Sequence, residues 1–270
     1  MQSLKELYKI GPGPSSSHTI GPQRASEAFK SENPEADSYK AILYGSLAKT
    51  GKGHLTDQII KNTLGTEITQ VVFDYSDHQF RHPNTMLLYA YKDGEAIAEW
   101  TVYSVGGGSY EIEGRAPVVP IDVYSYNTFD EIKKYCTEKK LRIYEYVKEC
   151  EDGDIFDYLL LMYGQMKKSI ESGLSKSGEL QGGLGIQRKA GYLYSQRHID
   201  ESAQTRENRI VCSYAFAVSE ENASGELIVT APTCGASGIL PAVLLYMQQQ
   251  KGFSDIDIVH ALATAGIIGN

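Results

Sequence analysis

The stretch TMLLYAYKDGEAIAEWTVYSV, residues 85–105, sets two runs of strand-forming residues on either side of Asp93 and Gly94. An Asp-Gly pair between such runs favours a two-residue hairpin turn, because both central positions take positive φ. The hairpin predicts an antiparallel pair of strands. Two further strand-like runs lie upstream, YKAILYGS from Tyr39 and EITQVVFDY from Glu67. Between them, residues 54–64 place Leu55, Ile59, Ile60 and Leu64 on one helical face. These elements predict an α+β N-terminal domain, a mixed sheet with helices.

After Asn127 the pattern changes. Thr128 or Asp130 is suited to cap a helix running through Lys139, and Ile143, Val147 and Cys150 form a second helical face before the Glu151-Asp152-Gly153-Asp154 break. Three long helical patterns follow, without strand alternation. The expectation is a mainly α-helical C-terminal domain, with the division placed at 1–140 and 141–270. The glycine-rich stretch from Ser172 to Gly191, containing GELQGGLG, is long for a connection in a compact domain, and loops of that length are usually functional or disordered.

The chain has 270 residues, 26 basic against 34 acidic, for a formal charge of −8. Bulk positive charge for binding nucleic acid is absent. No run approaches the roughly 18 apolar residues of a membrane span, and MQSLKELYKIGPG is too charged for a signal peptide, so a cytoplasmic location with no membrane partner is expected. The four cysteines, Cys136, Cys150, Cys212 and Cys234, show neither CxxC nor zinc-finger spacing. Cys136, Cys150 and Cys212 lie within helical patterns and are read as core.

Four motifs carry chemistry. In GPGPSSSHT, Ser15, Ser16, Ser17 and Thr19 offer hydroxyls at a helix start, suited to a carboxylate or phosphate, and His18 titrates near neutrality. The same residues also serve as helix caps. In TGKGHLTD, Lys52 and His54 stand beside the next helix N-terminus, and the Walker A spacing is absent. Gly106, Gly107 and Gly108 end a strand, more glycine than a hairpin needs, and HPNT at His82 to Thr85 is a weaker signal. TAPTCGASGILPAVLLYM, from Thr230, places Cys234 near a helix start, a position that lowers a thiol pKa and favours thiolate.

Taken together, GPSSSHT, TGKGH followed by Thr56-Asp57, SVGGG, EENASG at Glu220 to Gly225 and TAPTCGASGILPAV resemble the bacterial iron-sulfur-dependent L-serine dehydratases. That resemblance spans nearly the whole chain in the same order. It implies a β domain joined to an α domain, a 4Fe-4S cluster, no pyridoxal phosphate, and elimination of water from L-serine to give pyruvate and ammonia. In that reaction a cluster iron acts as Lewis acid on the β-hydroxyl while a protein base takes the α-proton. His54 is the first choice for base or substrate contact and His18 the second. Ser15, Ser16, Ser17 and Thr19 would hold the carboxylate, with Lys52, Gly107 and Gly108 also lining the site. The family also implies a homodimer, with serine as a possible allosteric ligand of the β domain.

Two departures qualify the resemblance. The family's common form of the last motif is PTNGACG, its cysteine a cluster ligand; here position 237 is Ser, and the ligand role passes to Cys234, three residues earlier. The family's other cluster cysteines lie in a later GCQGEVG-like stretch, so a C-terminally truncated chain is expected, its other ligands beyond Asn270. Two rival readings stand beside this one. A pyridoxal phosphate dehydratase would need a Schiff-base lysine, and no lysine here has that context. A non-catalytic serine- or amino-acid-binding fragment would keep the substrate motifs without a complete cluster.

Overall fold

The computed structural model describes residues 1–117, 120–181 and 184–270. Gly182 and Gly183 of the glycine-rich stretch lie outside the described residues. The chain forms two units, Pro12–Val119 and a second made of Met1–Gly11 with Pro120–Asn270. The sequence placed its division at residue 140. The structural division falls earlier because the segment 120–140 and the first residues of the chain pack into the helical unit, where Leu4, Tyr8, Tyr124, Ile132 and Cys136 share one core.

The chain opens with α1 (Leu4–Leu7) and β1 (Ile10–Pro12). A π-helical turn, Ser16–Ile20, then leads into α2 (Gly21–Glu32). β2 (Ser38–Leu43), α3 (Gly45–Thr50), α4 (Thr56–Leu64) and β3 (Thr69–Phe73) follow, with β2 and β3 parallel. β4 (Thr85–Lys92), β5 (Glu95–Gly106) and β6 (Ser109–Ile112) add antiparallel, giving a mixed five-stranded sheet in the order β3-β2-β4-β5-β6. Asp93 and Gly94 turn β4 into β5 with φ of 52° and 85°, as the hairpin reading requires.

Register decides what this sheet buries. Met86 pairs with Val102 and Leu88 with Trp100, so all four point to one face, and Ala41 and Leu43 of β2 join them. Ala25 and Phe29 of α2 and Ile60 and Leu64 of α4 close that face. Phe29 meets Trp100 edge-on at 5.0 Å between ring centres, and Arg115 stacks over the same indole at 4.3 Å while gripping Glu32 with both guanidinium nitrogens. Truncating a buried aromatic such as Phe29 costs about 3–5 kcal/mol.

The second unit is helical. α5 (Phe129–Lys139) starts at Thr128, whose side chain forms a capping box with Glu131. α6 (Ile143–Cys150), α7 (Ile155–Ser175), α8 (Ala190–Ser195) and α9 (Ala203–Ala223) follow; β7 (Leu227–Val229) pairs with β1, and α10 (Ile239–Lys251) and α11 (Asp255–Gly269) complete the unit. The strand β7, three residues long, is a short addition to a mainly helical unit. Glu151 ties the N-terminal segment down: its carboxylate accepts from the Leu4 amide at 2.6 Å, the Ser3 hydroxyl at 2.6 Å and the Tyr124 hydroxyl at 2.7 Å. Among the described residues no helix is long and apolar enough to cross a membrane.

Candidate active site

The sequence GPGPSSSHT folds so that its hydroxyls converge on one imidazole. Ser15, extended at φ −141°, ends the incoming segment and its hydroxyl accepts from the His18 amide. The π-turn behind it widens the backbone by one residue, with the Gly21 amide reaching back to the Ser16 carbonyl. Single π turns recur at functional sites because they re-aim side chains without breaking the helix. His18 is 8% exposed. Its Nδ1 lies 3.0 Å from the Ser17 hydroxyl, and its Nε2 lies 3.1 Å from Ser46 Oγ and 3.0 Å from Thr50 Oγ1.

Ser46 reaches His18 because of the turn before it. Gly45 has φ of +52°, and a Cβ there would stand 2.4 Å from the Pro83 carbonyl oxygen, the same oxygen that accepts the Ser46 amide at 2.8 Å. Position 45 is therefore closed to other residues. The HPNT loop, weak as a sequence signal, is what braces the turn. Its Asn84 also binds Ser104 through both main chain and side chain, and Ser104 Oγ donates to the Ser17 carbonyl at 2.7 Å.

His54 stands on the turn between α3 and α4, its ring centre 4.6 Å from that of His18 and tilted by 36°. Its Nδ1 lies 3.0 Å from the Thr50 carbonyl oxygen. A carbonyl oxygen only accepts, so Nδ1 carries the proton and Nε2 of the neutral ring keeps its lone pair. Leu55, the next residue, sits in the left-handed region at φ 59°. For a non-glycine residue that costs of order 1–3 kcal/mol, and such strain clusters at functional sites.

Burial holds the His18 pKa below the ordinary histidine value, and a charge on His54 pushes the same way, while a hydrogen bond to the Ser46 main chain opposes both. His18 is thus neutral in the resting site. Two imidazoles this close resist double protonation.

The other residues singled out from sequence are spread more widely. Ser15 and Ser17 join the His18 cluster, their hydroxyls 3.3 Å apart. Ser16 is half-buried in the π-turn. The Thr19 hydroxyl is fully buried and donates toward the Pro12 and Ser15 carbonyls, a clasp on the backbone of the turn. Lys52 is exposed, its ammonium 5.5 Å from the Phe73 ring centre. Gly107 and Gly108 take φ of 59° and 75°, and a Cβ on Gly108 would stand 2.7 Å from Ile20 Cγ2, so the triple glycine lets the β5–β6 turn pack on the end of the π-turn. Ser46 and Thr50 were not read from sequence as site residues. Thr50 stood at the head of TGKGHLTD without a role of its own, and the one signal for Ser46 was the Tyr-Gly-Ser stretch after β2, where a glycine ahead of a hydroxyl marks a tight strand-to-helix turn.

Cys234 belongs to the other unit. The lowered thiol pKa expected from a nearby helix start is corrected by the structure: α10 begins only at Ile239, Cys234 is 2% exposed, and burial pushes its pKa up to about 11. Ser237, three residues on, is 1% exposed with a hydroxyl that has no hydrogen-bond partner. Cys136 lies in the helical core and Cys150 packs against it, but Cys212 is exposed on α9, against the core reading. Among the described residues no three His, Cys, Asp or Glu side chains come together as metal ligands. A 4Fe-4S cluster takes four thiolates; one buried thiol beside a hydroxyl does not meet that demand.

The EENASG segment has a different character. Glu221 is 1% exposed, and its carboxylate accepts from Lys176 at 2.6 Å, Ser172 at 2.5 Å and Arg188 at 2.9 Å. Burial pushes its pKa up, and these donors together outweigh it and hold the carboxyl below its ordinary value.

Comparison with known proteins bears on the whole chain. Residues 56–270 match the family described as serine dehydratase alpha chain, and residues 3–67 match serine dehydratase beta chain. An L-serine dehydratase of Streptomyces coelicolor is 33% identical, over 99% of this chain and 70% of that protein. L-serine dehydratase TdcG of Escherichia coli is 31% identical, over 100% of this chain and 71% of its own length. L-serine dehydratase 1 of Escherichia coli is 32% identical, over 91% of this chain and 66% of its own length.

Proposed function

The chain belongs to the serine dehydratase family, and on that premise we propose that it converts L-serine to pyruvate and ammonia, with the His18–His54 pair as its proton-handling centre. The observation that carries this is the bare Nε2 of His54, held by the Nδ1 hydrogen bond to Thr50 beside a second, neutral imidazole. A neutral imidazole with one fixed N–H is a general base of suitable strength near pH 7.

The reaction needs the Cα proton removed and the Cβ–oxygen bond broken, leaving a double bond between the two carbons. Nε2 of His54 accepts the α-proton. The imidazolium so formed holds the proton that the departing hydroxyl requires to leave as water. Aminoacrylate then takes up water and yields pyruvate and ammonia. The hydroxyls of Ser15, Ser16 and Ser17 are the carboxylate donors in this reading, those of Ser15 and Ser17 rotating away from their contacts with each other and with His18 when substrate binds, while Thr19 shapes the turn that presents them. Lys52, Gly107 and Gly108 complete the site, the lysine as a nearby positive charge and the glycines as the turn against Ile20.

The cofactor implied by the resemblance is a 4Fe-4S cluster. The described residues do not supply its thiolates, and none of the steps above passes through one. His54→Ala tests the assignment: pyruvate release from L-serine should fall by about 10² to 10⁴, with the circular dichroism spectrum unchanged because His54 lies outside the buried core. A variant retaining the parent rate would remove His54 from the mechanism.

A further inference from the structure

Thr50 makes four hydrogen bonds to the two histidines and Ser46, one of them from the His54 amide at 3.2 Å, and the other three fix more than position. Its hydroxyl lies 2.8 Å from the Ser46 carbonyl and 3.0 Å from His18 Nε2. Its own carbonyl lies 3.0 Å from His54 Nδ1. The hydroxyl has a single proton. A carbonyl can only accept, so that proton goes to Ser46, and the remaining contact is satisfied only if His18 Nε2 donates to Thr50 Oγ1. His18 Nδ1 is then the acceptor, matched by the Ser17 hydroxyl at 3.0 Å, while the Ser15 hydroxyl at 3.3 Å can donate to Ser17. Ser46 Oγ, 3.1 Å from the same Nε2, accepts as a second partner of that proton, so every contact has a donor and an acceptor. The chain runs one way, from Ser15 through Ser17 and His18 to Thr50 and the Ser46 carbonyl.

We propose that Thr50 is a positioning residue that sets the two histidines in opposite tautomers, its side chain holding His18 as the Nε2–H form and its main chain holding His54 as the Nδ1–H form. The proposal rests on the reading of this pair as the serine-dehydrating centre and adds to it the device that keeps one imidazole bare at Nε2 and the other bare at Nδ1. A threonine in a helix commonly donates to the carbonyl four residues back. Here that habit aims the hydroxyl's lone pair at His18. Thr50 is exposed, so its replacement leaves the core of the unit intact.

The side-chain and main-chain halves of the device separate by substitution. Long-range ¹H–¹⁵N correlation spectra of the full chain, ¹⁵N-labelled at histidine, report the tautomer of each ring. In the parent protein His18 should appear as Nε2–H and His54 as Nδ1–H. Thr50→Val removes the hydroxyl and keeps the carbonyl, so His18 should become a mixture of tautomers while His54 is unchanged. Thr50→Ser should restore His18. Ser46→Ala should leave His18 as Nε2–H, because the Thr50 contact survives. A parent spectrum with His18 as Nδ1–H overturns the proposal even if no variant folds, and so does an unchanged His18 in Thr50→Val. These spectra need neither serine nor turnover. Failure of the dehydratase reading would appear instead as parent protein with the expected tautomers and no pyruvate from L-serine.

Discussion

His18 on the π-turn and His54 on the turn between α3 and α4 stand side by side yet differ in what surrounds them. Burial keeps His18 neutral, and this has a consequence for stability as well as for chemistry. Its folded-state pKa lies below the unfolded value of about 6.5, so the unfolded chain binds more protons in the interval between them. The folded state is therefore undiminished above pH 6.5 and loses stability as pH falls from there through the folded pKa. Urea midpoints measured from pH 7.5 down to 5 should decline more steeply for the parent than for His18→Gln, which has no proton to take up. Equal slopes would mean that His18 is not held neutral by its surroundings.

At the scale of elements, two turns carry the site and both depend on backbone conformations that few residues adopt. Gly45→Ala combines an αL backbone with a clash against Pro83, and should destabilise the chain by about 1–3 kcal/mol, read as a lowered urea midpoint, with a further loss of turnover as Ser46 leaves His18. Much of the sheet unit was legible because its signals are local. The Asp93-Gly94 turn needs positive φ at both positions and has the residues that supply it, and the alternating runs on either side then fix the faces. The π-turn at Ser16–Ile20 was not legible, since Ser and Thr at a helix start satisfy an ordinary cap equally well and the extra residue appears only in the i to i+5 bond. HPNT was underrated for a related reason. What it contributes is the Pro83 carbonyl, a main-chain atom with no signature in side-chain identity.

At the scale of the molecule, each unit is built on an apolar core, and the helical unit adds a buried ion cluster to its own. The sheet unit relies on apolar packing between one face and two helices. The helical unit buries ions, in the pairing of Glu221 with Lys176 and Arg188. Removing Arg188 leaves the buried Glu221 carboxylate with only Lys176 and Ser172 as donors, so Arg188→Ala should cost about 1.5–3 kcal/mol in a urea titration; a loss under 1 kcal/mol would show that water replaces the guanidinium. Because the Glu221 carboxyl is held below its ordinary value of 4.5, its contribution is present above that pH and is lost as pH falls through the folded pKa. The sequence marked EENASG only through resemblance, since partners 33 to 49 residues away are set by tertiary packing. Cys234 illustrates the same limit. Its nearness to a helix in sequence suggested a reactive thiolate, whereas burial, a property of the whole unit, raises its pKa.

Dehydration of L-serine by this chain is read from pyruvate and ammonia release by the protein after anaerobic reconstitution, with iron and sulfide determined on the same sample. The two products should appear in equal amounts, and both should be lost in His54→Ala at the same metal content. Bound L-serine with full metal content and no pyruvate would contradict it, leaving a serine-binding protein in place of a dehydratase.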